Sequence, residues 1–308
     1  MSSPLTIAQL SPAELRARLR GPGLRLQTGP FVVALQSTIA QVADGIARVY
    51  ADYPVPGPEQ FVDFHINMAE ARGWHRWIRP QVHFKHDGDA PFLPLPRHHA
   101  FPMFEWVLNW CVSGRAHDWL ILHAAVVEKD GCAAILPAPP GSGKSTLCAA
   151  LAHRGWRLLS DELTMISLVD GLVTPLPRPI SLKNASLEVM RAYVPGAVFS
   201  DPVHDTSKGM VTLMKAPVDA VARAHERARP AWVVFPKYAA GAAAALTPVS
   251  QARAFMQLAE NSFNYNVLGA AGFDAMASLV EHTSSYQFTY SVLDEAIAVF
   301  DALPRPPA

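Results

Sequence analysis

The run Ala138-Pro139-Pro140-Gly141-Ser142-Gly143-Lys144-Ser145 has the residue types and spacing of a phosphate cradle. Gly141 and Gly143 let the backbone curl toward a phosphate with no Cβ in the way. The amides of residues 141–145 then point inward at the start of a helix, where anions are favoured. Lys144 can reach β- and γ-phosphates, and the Ser145 hydroxyl can ligate Mg²⁺. Pro140, Gly141, Ser142, Gly143, Lys144, Ser145 and Thr146 are therefore the expected nucleotide-binding residues, with ATP and Mg²⁺ as the expected ligands. Ala138 stands where this pattern usually has its first glycine, and the two prolines after it stiffen the loop.

Asp161-Glu162 follows the short run Arg157-Leu158-Leu159-Ser160, a strand that Arg157 and Ser160 make poorly apolar. An acid at the end of a strand next to a phosphate loop can hold Mg²⁺ directly or through water, or take a proton from an attacking hydroxyl. The competing reading is a turn with acidic capping. The spacing from Lys144 favours the chemical one. His123 lies in the apolar run Leu120–Val127 and has two readings. It is either a satisfied core histidine or a ring that approaches the phosphates from the neighbouring strand. Arg178, Lys183 and Lys208 are basic residues that either clamp phosphate or acidic substrate groups or are solvated loop residues.

These groups need particular elements to hold them. Residues 119–128 and 132–138 are strand-like runs around Asp130-Gly131, which predicts an antiparallel hairpin whose second arm ends at the cradle. Residues 145–155 read as a helix ending at Gly155. Residues 156–160 read as a strand, and 163–176 as a hairpin turning at Asp170-Gly171. The Pro-rich stretch 175–184 reads as a loop. Beyond it come a strand at 231–236, an Ala-rich turn or strand at 239–246, and helices near 250–260 and 291–302. Upstream, 11–20 reads as a capped helix, 23–37 as two strands, 61–92 as strands with Trp74 and Trp77 packed, and 100–113 as a buried helix. The division is residues 1–115, a smaller α+β domain for substrate recognition or assembly, and residues 116–308, the domain with the cradle.

The chain has 308 residues, of which 50% are hydrophobic and 17% charged, enough to bury a core. Lys plus Arg (26) equals Asp plus Glu (26), and no basic stripe exists, which argues against a nucleic-acid partner. Cys111, Cys132 and Cys148 are too few and too scattered for a disulfide framework or zinc site, and read as core residues in a reducing compartment. With no signal-like start and no long apolar run, the expectation is a cytoplasmic protein without a membrane partner.

The block "LILHAAVV…GCAAILPAPPGSGKST…GWRLLSDE" resembles HPr kinase/phosphorylase and its relatives, a P-loop group sharing a core with phosphoenolpyruvate carboxykinases. His123, Lys144, Ser145, Asp161 and Glu162 fall on that family's positions. Residues 247–255, "TPVSQARAF", resemble its arginine-bearing loop, which would make Arg253 functional, and 269–276, "GAAGFDAM", resemble the stretch beyond. With "PLPRPISLKN" and "HDTSKGMVTLM", the chain looks most like the HPr-kinase-related kinase A subgroup, typically encoded beside peptide-modification genes. The resemblance covers about residues 118–300. It implies an α/β fold, a phosphoenolpyruvate-carboxykinase-like P-loop kinase core with a mixed sheet. It implies γ-phosphoryl transfer from ATP to a serine-type hydroxyl of a peptide or protein. Asp161 would be the general base, supported by His123. Lys144 would hold the phosphates, and Ser145 with Glu162, Asp161 or a water would hold Mg²⁺. A homo-oligomer is compatible with the resemblance. Glu162 stands where the family has Asp, and residues 1–115 do not resemble the family's N-terminal domain, so neither HPr as substrate nor hexameric assembly nor reverse phosphorylase activity carries over. A small-molecule kinase of the same fold and a nucleotide-binding regulator with little turnover remain as alternatives.

Overall fold

The structure is a computed structural model that describes residues 4–71, 78–86 and 90–304. Trp74 and Trp77 lie outside the described residues. The fold is mixed α/β, with three sheets.

The N-terminal sheet has the order β1 (Leu24–Thr28), β2 (Phe31–Ser37), β3 (Phe64–Glu70), β4 (Gln81–Lys85), β5 (Leu95–Pro96). Helices α1 (Pro12–Arg20), α2 (Ala40–Val49) and α3 (Ala100–Arg115) belong to the same half of the chain. Ser11 caps α1: its hydroxyl accepts from the Glu14 amide at 3.2 Å, and the Glu14 carboxylate accepts from the Ser11 amide at 2.8 Å. Helix α3 is apolar nearly all round, with Phe101, Met103, Phe104, Val107, Leu108, Cys111 and Val112 all buried. Such a helix must be covered on several sides.

The larger half runs β6 (Trp119–Lys129), β7 (Cys132–Pro137), α4 (Lys144–Ala152), β8 (Arg157–Ser160), β9 (Leu163–Ser167), β10 (Val173–Thr174), β11 (Ile180–Lys183) and α5 (Ser186–Tyr193). It continues through β12 (Val203–Thr206), β13 (Gly209–Met214), α6 (Val218–Ala222), β14 (Arg229–Tyr238), β15 (Ala245–Pro248), α7 (Gln251–Glu260) and α8 (Tyr265–Leu268). It ends with α9 (Ala270–Glu281), β16 (Ser284–Tyr290) and α10 (Leu293–Asp301). The central sheet has the order β10-β9-β6-β7-β14-β16-β15, with β8 also on β6. Strands β11, β13 and β12 make a small antiparallel sheet. Among the described residues no helix is long and apolar enough to cross a membrane.

The expected hairpin is present: β6 pairs antiparallel with β7 from Lys129↔Cys132 to Ala124↔Pro137. Its turn has φ of 53° at Asp130 and 79° at Gly131, as a two-residue type I′ connection requires. Strand β8 pairs with the other edge of β6, also antiparallel. Strands β7 and β8 therefore run in the same direction on either side of β6, and β14 and β16 extend the parallel set beyond β7. The carboxyl ends of β7, β8, β14 and β16 share one edge, the place where open α/β sheets bind ligands.

The buried apolar residues fall into two clusters. One buried apolar cluster contains Ile7, Leu35 and Phe104 from the first half and Leu136, Leu151 and Phe300 from the second. Each fully buried aliphatic side chain contributes roughly 1.5–3 kcal/mol relative to exposure. The three cysteines are buried, as core residues.

Two expectations are corrected. Residues 175–184 are not all loop, because Ile180–Lys183 form β11 with an alternating burial pattern once the prolines stop at Pro179. Arg157 does not weaken its strand. It is buried, and its Nε donates to Glu128 at 2.6 Å while its Nη atoms donate to the carbonyls of Arg223 and Glu226 at 2.7 and 3.0 Å. All four residues of β8 are buried in consequence. Helices α2 and α9 and strand β16 were not anticipated.

Candidate phosphate-binding site

Strand β6 fixes the register of the site. Along one edge, β7 pairs as far as Ala124↔Pro137 and then leaves as the cradle loop. Along the other, β8 pairs as far as Val126↔Ser160, the chain bends at Asp161-Glu162, and β9 resumes at His123↔Leu163. Loop, acids and histidine thus reach the same level of one strand from three directions.

Pro139, Pro140 and Gly141 are exposed at the loop's tip. The Ser142 amide donates to the Pro139 carbonyl at 3.3 Å, closing the turn. Gly141 and Gly143 have φ of 85° and 87°, which other L-residues rarely adopt. Two tyrosines, not anticipated, pin the loop. The Tyr238 amide donates to the Ser142 carbonyl at 2.8 Å, and the Tyr290 hydroxyl donates to the Gly143 carbonyl at 3.0 Å. Both stand at the C-terminal ends of strands of the parallel set, a signal readable only once strand order is known. A Cβ at Gly143 would lie 2.5 Å from the Tyr290 hydroxyl and 2.9 Å from the Tyr238 Cβ. Gly143→Ala should therefore cost about 1–3 kcal/mol from backbone strain and crowding together. Chemical denaturation would measure it, and a loss below about 0.5 kcal/mol would show that the loop is slack.

Lys144 opens α4 and is 8% exposed, with no hydrogen-bond partner on its Nζ. Burial lowers its pKa, and the nearby Asp161 and Glu162 carboxylates oppose that. Asp161 is buried. Its Oδ2 accepts from the Ser181 amide at 3.1 Å, and its Oδ1 has no partner. Burial raises its pKa against the pull of Lys144. The Ser142 hydroxyl is likewise buried and unpaired. An orphaned ammonium, an orphaned carboxylate oxygen and an orphaned hydroxyl at a helix start fit a polyphosphate with its cation, which would supply what each lacks.

Glu162 accepts from the Asn109 side-chain amide. Burial opposes its ionisation, but Lys208, Arg178, Lys183 and Lys144 together hold its pKa below the usual range. Among the described residues no three His, Cys, Asp or Glu side chains form a metal cluster by themselves. Mg²⁺ asks for less, since one or two carboxylates complete a shell made largely of phosphate oxygens and water. Ser145, Asp161 and Glu162 meet that requirement. The Thr146 hydroxyl donates instead to Ser186 on α5 at 2.9 Å.

His123 is half-buried, its amide donating to the Asn261 carbonyl at 2.6 Å and its ring 5.6 Å from that of Phe263. Burial, with the Lys144 charge next, lowers its pKa to about 4. The ring is therefore neutral at pH 7 and a weaker base than an ordinary histidine. An NMR titration should show no protonation of His123 until the pH falls toward about 4. The unfolded chain binds that proton near the ordinary histidine pKa, about 6.5. Stability contributed by this group is therefore full above that value and declines as the pH falls to about 4. A midpoint near 6.5 in the folded protein would mean a solvated ring.

Arg178 is neither solvated nor a free clamp. It is buried and paired with Glu105 at 3.3 Å. Lys208, at the turn between β12 and β13, stands 6.0 Å over the Trp106 ring. Arg253 lies on α7. It is exposed in the first turn of α7, whereas the other end of that helix meets β6 through Asn261. Eight residues of helix separate the two by about 12 Å.

No family model and no curated protein matches the chain. Among solved structures, the HPr(Ser) kinase/phosphatase from Coxiella burnetii aligns over 59% of this chain and 95% of that one, at 10% identity and a TM-score of 0.25, a likeness too low to assign an activity.

Proposed function

We propose that this chain is an ATP-dependent phosphotransferase that moves the γ-phosphoryl group to a serine-type hydroxyl of a peptide or protein. One observation carries the reading: the buried, unpaired Lys144 Nζ at the head of α4 faces a buried Asp161 with one unpaired carboxylate oxygen. ATP with Mg²⁺ would supply the transferable group and neutralise its charge. Lys144 and the amides of 141–145 bind the phosphates, and Ser145, Glu162 and Asp161 hold the metal. Asp161 takes the acceptor's proton at Oδ1, since burial makes it a stronger base than an ordinary carboxylate and His123 a weaker one than an ordinary imidazole. His123 fills one wall as a neutral ring. Arg253 is given no step in the single chain.

The acceptor side favours a large substrate. The crevice beside Asp161, lined by Trp106, Glu162, Arg178 and Leu213, has a volume of about 10 Å³. Enclosed small-molecule sites are typically ~300–1,000 Å³. A side-chain hydroxyl reaching in from outside fits such a slot better than an engulfed metabolite. Residues 116–308 then carry the transfer, and residues 1–115 support it. The test is incubation of the full chain with [γ-³²P]ATP and Mg²⁺ against peptide pools and cell extract. Label on serine or threonine, absent with Asp161→Asn, is the expected result. Label found only on small molecules would replace the acceptor class, and ATP binding with no transfer to any acceptor would favour a regulator.

A further inference from the structure

Helix α3 places Glu105 and Asn109 one turn apart on the same face, and both meet Arg178. Arg178 donates from Nη1 to Glu105 Oε2 at 3.3 Å and from Nη2 to Asn109 Oδ1. Asn109 Nδ2 in turn donates to Glu162 Oε2. At the other end, the hydroxyl of Tyr50, just past α2, donates to Glu105 Oε1. A line of hydrogen bonds therefore runs Tyr50–Glu105–Arg178–Asn109–Glu162, from the N-terminal half into the acid pair. Tyr50, Glu105 and Arg178 are 0%, 5% and 6% exposed.

A buried ion pair is a poor way to gain stability, because desolvation offsets most of the attraction. Orientation is what this one supplies. An amide that accepts from a guanidinium and donates to a carboxylate cannot flip without losing both bonds. Glu162 sits on the bend between β8 and β9, where its own torsions would otherwise be free to wander. Asn109 takes no part in the cradle, so its visible effect on the site is to hold that carboxylate.

We infer that Asn109 and Arg178 are positioning residues that aim Glu162 at the metal–nucleotide complex, so that α3 of the N-terminal half is part of the transfer site. The inference rests on the reading of Glu162 as a metal-holding residue. It gives residues 1–115 a role beyond recognition of a substrate, because without α3 the acid pair has no support on this side.

The test measures metal affinity against nucleotide affinity in the full chain. Mn²⁺ binding is followed by electron paramagnetic resonance with a non-hydrolysable ATP analogue present, and metal-free analogue binding by calorimetry. Asn109→Leu should weaken Mn²⁺ about 10-fold or more, the range for partners of metal-ligating groups, while metal-free analogue affinity stays within about twofold. Glu162→Gln should weaken Mn²⁺ at least as much, and the double variant no further. A general loss of structure would lower both affinities together, so the split separates positioning from folding. Arg178→Lys keeps the charge but not the fork, and should give a several-fold loss of Mn²⁺ affinity even if Asn109→Leu does not fold. Normal Mn²⁺ binding in Asn109→Leu or Arg178→Lys, with Glu162→Gln impaired, overturns the positioning role alone. Normal Mn²⁺ binding in Glu162→Gln overturns it together with the metal role of Glu162.

Discussion

Asp161→Asn lowers phosphoryl transfer by about 10²–10⁴-fold while metal-free ATP affinity stays within a few-fold, the range expected for loss of a positioned general base. The substitution keeps the shape of the side chain and an oxygen to accept from the Ser181 amide. It removes the capacity to take a proton at the otherwise unpartnered Oδ1. Labelled transfer gives kcat, and calorimetry gives the nucleotide Kd. A kcat within tenfold of the unaltered chain would place the proton acceptor elsewhere. The acid side of the pH–rate profile makes a second check. A base works when deprotonated, and burial raises the Asp161 pKa from 3.8. Transfer should therefore fall as the pH drops through a midpoint above 3.8, and Asp161→Asn should flatten that limb.

Lys144→Met has the second large effect and strikes binding. Methionine keeps the apolar stem that packs under the loop and removes the ammonium. A hydrogen bond to a charged group contributes roughly 1.5–3 kcal/mol, which is about 10–150-fold in affinity, and an ammonium meeting two phosphates in a buried site lies at or above the upper end. Kd for ATP·Mg²⁺ should rise at least about 100-fold, and the ligand-induced rise in Tm should vanish. Unchanged affinity would remove the phosphate-holding role of Lys144, because the amides of the loop would then suffice. The two substitutions thus separate: one spares binding and stops transfer, the other loses binding itself.

The β6–β7 hairpin, the loop, α4 and β8 were legible because each is set by local chemistry. Asp130-Gly131 dictates its own turn, the loop glycines require positive φ, and the apolar runs have strand length. The convergence of Lys144, Asp161, Glu162 and His123 followed from that short block alone. What surrounds the site was not legible. Tyr238 and Tyr290 reach the loop only because β14 lies next to β7 and β16 next to β14, although about 100 and 150 residues separate them from β7 in the chain. Arg178, in a Pro-rich stretch, reads as either a clamp for phosphate or acidic groups or a solvated loop residue. Its burial depends on Glu105, 73 positions away. Arg157 misled for the same reason, its charge being met by Glu128 across the strand pair. Helix α2, strand β16 and helix α9 went unread, since their ends carry few of the stop signals on which sequence reading depends; α2 lacks a side-chain cap altogether.

Strand β6 carries every element of the candidate site, and this makes it intolerant of a change in length. Deleting one residue between His123 and Val126 would leave β7 and β8 their shared register on Val126–Glu128, yet displace His123 and the β9 register by about 3.3 Å and reverse which face the side chains before the deletion present. Surface turns absorb the loss of a codon. Here the same loss would part His123 and the start of β9 from the loop and the acid bend.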